Sequence, residues 1–535
     1  MAGTTAKIIG IAIIALLIGV AIGYLIKPTA PPAPPTGVPE EEYNRVVKEN
    51  EELKAQIESL KSQISELESK LKKPFEGVKI TVLVHSGHQA NPWKEYADDI
   101  KELYGIELEI VESPPEEIYT KALLGIREKP AKYDIIQFNS AFIAELAPYL
   151  EPLDEYIKKP GEGGVAWGDI LPAFRAYQNM WAGKIYSLTL DGDIFFLYYR
   201  KDLFECPTEK EAFKAKYGYD LRPPRTWKEF LDIAEFFTRK KGETLCGQPL
   251  QRDFYGAAFQ LKKPRIFYWY LFVYWPHVAA ATGGNPHYFD PQTMKPLINS
   301  EGAVEALETL KKALDYMPPG VLAWEWDECF TAFMKEGYVA MTIHWPDEGK
   351  RAPELAPLPI PNPPTPELGV ALPPGVEKDG VLYQYTMIDA AWVAGIAKNS
   401  KNKEAAWAVL SFMCSPEHDL ERVMAPTDYM PDTGHDPYRF SHIYSARFLA
   451  LKPHFAIMTK AYEEAATHGF PLLKIPGAYE YLESLATHVH AYLSGEIPDA
   501  KTALDKVADD WDKITESFGI EKQKEAYLAM WGLGG

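Results

Sequence analysis

From Val78 onward the chain alternates short apolar runs of β type with helical stretches, and this alternation constrains the fold more than any other feature. Val78-Lys79-Ile80-Thr81-Val82-Leu83-Val84 reads as a first strand, with helical sequence following over Trp93–Tyr104. Gly105-Ile106-Glu107-Leu108-Glu109-Ile110-Val111 is a second, leading to a helix near Ile118–Ile126. Tyr133-Asp134-Ile135-Ile136-Gln137-Phe138 is a third. Such alternation implies an α/β fold with a mostly parallel sheet, whose ligand sits beyond the C-terminal ends of the strands. Asn139 and Ser140 occupy that position, as do Ser86 to Gln89. A chain of 535 residues exceeds what one hydrophobic core usually serves, so at least two lobes are expected.

The sequence ahead of Val78 obeys other rules. Ile8 to Ile26 is a 19-residue apolar stretch flanked by Lys7 and Lys27, long enough to span a bilayer. A cleaved signal peptide is the competing reading. Proline follows the small residue at Ala30-Pro31, which makes a poor cleavage site, and no lipobox cysteine follows. Residues 1–27 are therefore expected to be an uncleaved anchor, with a short N-terminus inside and a large domain outside. Ala15, Gly19 and Gly23 form a small-residue face suited to helix contact. Residues 28–39 hold six prolines and predict a stiff, extended spacer.

Residues 40–73 predict a coiled-coil stalk. Leu53, Ile57, Leu60, Ile64, Leu67 and Leu71 alternate steps of four and three. With Leu53 at d, Ile57 and Ile64 fall at a, Leu60 and Leu67 at d, and Asn50 at a. Isoleucine at a, leucine at d and one asparagine at a favour a parallel two-stranded coil, hence a homodimer through residues 43–71. A lone solvated helix is the alternative. Pro74 ends the pattern.

Composition excludes some functions. Net charge is −19 and no long Lys/Arg cluster occurs, so nucleic acid is not an expected partner. The four cysteines (206, 246, 329, 414) contain no CxxC pair, which argues against zinc. In an extracellular setting a Cys206–Cys246 disulfide closes the shortest loop, and buried free thiols are the alternative. No P-loop, GxSxG or HExxH motif occurs. No catalytic residue, metal or cofactor is expected, and the chain is not read as an enzyme.

Seven segments then carry a resemblance when taken in order. KYDIIQFNSAFIAELAPYLEPLDEYI (Lys132–Ile157) resembles the family 1 extracellular solute-binding proteins of ABC importers. GKIYSLTLDGDIFFLYYRKDLFE (Gly183–Glu205) looks like the segment where that family's chain first crosses between lobes, and PPRTWKEFLDIAEFFT (Pro223–Thr238) is similar to its TW-containing helix. GGNPHYFDPQTMKPLINSEGAVEALETL, FTAFMKEGYVAMTIHW, VALPPG and WVAGIAKNSKNKEAAWAVLSFMCSPE follow in the family's order. The resemblance covers roughly 78–515. It implies a two-lobed, periplasmic-binding-protein-like clamp of type II, with 74–190 and 373–425 forming lobe 1, and 191–372 and 426–535 forming lobe 2. The jaws close on a solute, a population shift between two states. The loaded clamp is passed to an ABC permease driven by a separate ATPase.

The resemblance also proposes a site. Trp345 lies near the family's stacking tryptophan, although HWPDE here shifts the register of that ring. Asp193 falls where related sugar binders carry an acid in the crossing segment, with Asp191 its neighbouring option. Asn139 and Ser140 match the loop after the third strand. Tyr268 and Trp269 open the run FYWYLFVYW, most of which is expected to be core. Trp324, Trp326, Trp392, Tyr479 and His88, the last within an HxxH loop, complete the set. Aromatic faces beside carboxylates and amides suit a sugar's apolar faces and hydroxyl rims. The expectation is a membrane-tethered, extracellular receptor for a di- or oligosaccharide. The alternatives are a peptide or other polar solute on the same fold, a surface glycoside hydrolase, or a structural surface protein.

Overall fold

The computed structural model describes residues 40–69, 73–158, 164–263, 265–388, 391–465 and 467–532. The expected anchor at residues 8–26 and the proline-rich spacer lie outside these. No helix among the described residues is long and apolar enough to cross a membrane. The chain divides into two units: residues 1–76 with 103–105, and residues 77–102 with 106–535.

In the first unit, α1 (Glu40–Ser69) is one continuous helix of 30 residues through the expected heptads. Its d-position side chains Leu53 and Leu60 are 56% and 43% exposed.

The second unit contains two main sheets. Along the chain their strands are β1 (Lys79–His85), β2 (Glu107–Ser113), β3 (Ile135–Asn139), β4 (Leu188–Thr189) and β5 (Phe196–Arg200). β6 (Tyr255–Ala258), β7 (Val339–His344), β8 (Leu368–Ala371) and β9 (Trp392–Ile396) complete them. The first sheet runs β2-β1-β3-β9-β4 and the second β6-β7-β5-β8. β1 pairs in parallel with β2 and β3, whereas β9 lies antiparallel to both β3 and β4. In the second sheet β6 and β7 are parallel, and β5 runs antiparallel to β7 and β8.

The burial of each strand follows its composition. Ile135, Ile136, Gln137 and Phe138 of β3 are all buried, as a central strand covered on both faces requires. β2 sits at the edge and keeps Glu107 and Glu112 exposed, and charge there discourages pairing with another chain. In the second lobe α4 (Ile266–Thr282) is apolar on every side and correspondingly buried; α2 (Pro115–Arg127) and α3 (Trp227–Phe237) precede it, each with one apolar stripe. Residues 190–195 carry the chain from the first sheet to the second, and residues 372–391 carry it back.

One disulfide joins Cys206 to Cys246, with Cα atoms 5.7 Å apart, while Cys329 and Cys414 are buried free thiols.

Candidate ligand cleft

The ends of the strands set the position of the cleft. His85 closes β1 and Asn139 closes β3. Trp392 begins antiparallel β9 directly opposite Asn139, so it reaches the same edge of the first sheet. Trp345 follows the last residue of β7 in the second sheet. Two adjoining cavities open there and share Arg265 and Trp392 as common walls. The larger, about 520 Å³, is lined by Asp191, Asp193, His88, Trp326, Trp345 and Gln89 among others. The smaller, about 210 Å³, is lined by Asn139, Tyr268 and Tyr479 together with apolar side chains.

The rings on its walls are held by other rings. Trp345 packs against Phe195 at 4.4 Å and His344 at 5.3 Å, and the Arg265 guanidinium lies 5.7 Å from its centroid. His85 meets Trp392 edge-on at 4.5 Å. Trp326 stacks on Phe330 at 4.6 Å. Tyr479 lies nearly parallel to Tyr119 at 6.4 Å. These contacts hold the aromatic faces in place before any ligand arrives, which limits the ordering cost of binding.

The floor is ionic and buried. Asp191 accepts from Gln89 Nε2 at 2.7 Å and from the Asp436 amide at 2.8 Å. Gln89 Oε1 in turn accepts from Gln137 Nε2 at 3.1 Å and lies 2.9 Å from His435 Nε2. An amide oxygen can only accept, so the His435 proton sits on Nε2. The Lys350 ammonium lies 2.8 Å from Asp436 and donates to the His435 carbonyl at 2.7 Å. Burial pushes the Asp191 carboxyl up to about 7, against the pull of Lys350. Burial, reinforced by Asp191 and Asp436, raises Asp193 well above the usual carboxylate range.

Two glycines permit this floor. A Cβ on Gly192, between the two aspartates, would lie 2.6 Å from the Pro437 carbonyl oxygen. Gly434 has φ +63°, and a Cβ there would meet the His88 ring at 2.5 Å. The loop 432–439 therefore lies flush on Asp191-Gly192-Asp193 only because both residues lack a side chain. That loop bonds to Asn91, Gln89, Thr189 and Leu171, all on the side of the first sheet.

Of the residues expected at the site, Asn139, Asp191, Asp193, Tyr268, Trp326, Trp345, Trp392, Tyr479 and His88 line the two cavities. Three do not. Ser140 is fully buried as its amide bonds to the Ala391 carbonyl. Trp269, one residue past Tyr268, points into the core and donates to the Ile343 carbonyl at 3.3 Å. Trp324 packs against the second lobe's core, and its carbonyl accepts from the Lys262 amide. Gln89, in the Ser86 to Gln89 stretch expected beyond the first strand, lines the larger cavity, whereas sequence reasoning did not single out Arg265, Asp347 or the 432–436 loop. The Asp-Thr-Gly-His-Asp run at 432–436 has turn character, but its partner Asp191 lies some 240 residues earlier.

Comparison with known proteins agrees with this fold. The profile of the family described as bacterial extracellular solute-binding protein matches residues 86–419. A protein of Sinorhizobium fredii named "probable amino-acid ABC transporter periplasmic-binding protein" is 26% identical over 279 residues, covering 52% of this chain and 58% of its own. The chain thus spans little more than half the length of this curated relative. Among solved structures, an ABC transporter solute-binding protein of Agrobacterium radiobacter in complex with ribitol superposes with a TM-score of 0.63 at 21% identity, covering 83% of this chain and 100% of that one. Maltose-bound MalE3 of T. maritima gives a TM-score of 0.60 at 21% identity, with 82% and 100% covered. The fold is the two-lobed clamp of these proteins. With the family profile spanning well over half of its residues, the chain belongs to the bacterial extracellular solute-binding protein family.

Proposed function

We propose that the chain is the extracellular receptor of an ABC importer and captures a neutral polyhydroxyl solute, a di- or oligosaccharide, in the cleft between its two sheets. The observation that carries this reading is the pairing of Trp326, Trp345, Trp392 and Tyr268 on the walls with Asp191 and Asp193 on the floor. Flat rings cover the apolar faces of a pyranose, and carboxylates accept from its hydroxyls. The printed names of the structural neighbours, which include ribitol and maltose complexes, support the same class. Delivery to a permease with a separate ATPase follows from the family. In this reading residues 8–26 anchor the receptor in the membrane, the binding domain faces outward, and α1 pairs two chains in parallel. No step of bond breaking is assigned to it.

A second reading rests on Arg265. Its guanidinium faces both cavities and forms no ion pair among the described residues, which suits the carboxylate of an amino acid or peptide. The name of the Sinorhizobium relative points the same way. A thermal-shift panel of sugars, polyols, amino acids and short peptides separates the two, since a ligand that binds only the folded state raises the melting temperature by mass action. Stabilisation by oligosaccharides alone is the expected result; stabilisation by amino acids alone overturns the sugar reading.

A further inference from the structure

Asp191, Asp193 and Asp436 each offer a carboxylate oxygen, and these oxygens lie within 4.8 Å of one another. The residues are 3%, 8% and 1% exposed. Lys350 supplies one positive charge to this group. One ammonium stands against three carboxyl groups in a buried place, so their full ionisation would leave two negative charges without a partner there, at a cost of several kcal/mol each. Two further atoms there lack partners. Oδ2 of Asp436 makes no hydrogen bond. The Tyr462 hydroxyl, on a residue 1% exposed, makes none either, and it lies within electrostatic reach of Asp436, Asp191, Asp193 and Asp347. An orphaned phenol beside three crowded carboxyl groups is the mark of a site whose occupant brings positive charge and accepts oxygen donors.

We propose that Asp191, Asp193 and Asp436 hold a hard divalent cation of the calcium class at the floor of the cleft. Calcium takes six to eight oxygens at about 2.3–2.6 Å, so two oxygens on one ion stand at most about 5 Å apart, which the 4.8 Å spread satisfies. The donor set is all oxygen. The imidazole of His435, next to Asp436 in the chain, is committed through Nε2 to Gln89 and faces Arg422 with Nδ1, which disfavours zinc and softer metals. An ion of charge +2 balances the two charges that Lys350 would leave unmatched once the three carboxyls ionise. Asp191 and Asp193 line the 520 Å³ cavity, so the remaining coordination positions face it. There they take water or a vicinal pair of ligand hydroxyls. The cation site stands whatever the cleft binds; its contact with ligand hydroxyls rests on the sugar reading above.

The test uses the full chain, stripped with a chelator and passed back into buffer. Calcium is titrated by calorimetry, and terbium by its emission on tryptophan excitation, since Trp345 lines the same cavity. One saturable site per chain is expected, with a Kd below about 1 mM, in the range of extracellular calcium modules. Asp193→Asn weakens it at least tenfold, whereas Glu377→Gln, at an exposed position of the hairpin formed by Val376–Lys378 and Val381–Tyr383, leaves it unchanged. No saturable calcium or terbium binding by the unsubstituted chain overturns the proposal without reliance on any variant, as does binding that Asp193→Asn does not alter. The sugar panel is then repeated with calcium and with chelator. Sugar binding that needs calcium supports the hydroxyl contact, and equal sugar binding in both removes it while the sugar reading stands. Calcium binding with no sugar bound retains the site and sinks the sugar reading.

Discussion

Nδ1 of His344 lies 2.7 Å from the Glu348 carboxylate four residues onward, and both side chains are wholly buried behind the tryptophans of the cleft. Gln260 Nε2 stands 2.9 Å from Nε2 of the same ring and can only donate to it, which leaves Nδ1 as the protonated nitrogen facing Glu348. Burial drives the two groups toward neutrality from opposite sides. His344 falls to about 3, and Glu348 rises well above the usual carboxylate range.

The pair sets a pH dependence. The unfolded histidine gains a proton below pH 6.5, while the folded one stays neutral down to about 3, so His344 costs stability as pH falls across that window. The folded carboxyl keeps a proton that the unfolded one loses above 4.5, so Glu348 costs stability as pH rises from there. Between these two unfolded values the slopes cancel. Replacing Glu348 by Gln removes the second term. Urea unfolding at pH 5, 6 and 7 should show the Gln variant gaining on the parent as pH rises, by up to about 1.4 kcal/mol per pH unit. A difference that does not change with pH contradicts this account.

The Cys206–Cys246 disulfide spans 40 residues of sequence. Closing a loop of that length removes unfolded-state entropy, so reduction or a Cys206→Ser, Cys246→Ser double variant should lower unfolding free energy by about 2–4 kcal/mol. The measurement is the urea midpoint with and without reductant. In the native oxidised protein Cys329 and Cys414 should resist thiol reagents until unfolding, because both are buried.

Trp269 and Trp392 should respond in opposite ways to truncation. Trp269 is 0% exposed in the core of the second lobe, so Trp269→Ala should cost about 3–5 kcal/mol of stability. Trp392 is a wall common to both cavities, and Trp392→Ala should weaken ligand binding at least tenfold at a smaller cost in stability. Calorimetry beside denaturation decides. Unchanged affinity in the Trp392 variant removes that ring from the site.

The exposed d positions of α1 carry the pairing prediction. Light scattering of the chain from residue 40 onward should give twice the monomer mass, and Leu53→Asp with Leu60→Asp should return it to one. A monomer before substitution ends the dimer reading.

Much of this arrangement was legible in residues near one another along the chain. β1 and β3 announce themselves because strands buried on both faces must be apolar throughout, and the heptads of α1 because helical periodicity is local. The cleft position followed from the same source, since parallel strands end together and place Asn139 and the residues after β1 at one edge. The even apolarity of α4 hid which ring faces the cleft. With no polar stripe to orient the helix, Tyr268 and Trp269 read alike, and only packing turned one outward and the other into the core. The ionic floor was hidden more deeply. Lys350, Asp436 and Asp191 come from three separate stretches of chain, and no periodicity links them. Local sequence determined the strands, the helices and the crossing segment, because each depends on neighbours within a few residues. The tertiary structure alone decided which charges meet, because burial and distance, which set the strength of every ionic contact here, exist only once the chain has closed on itself.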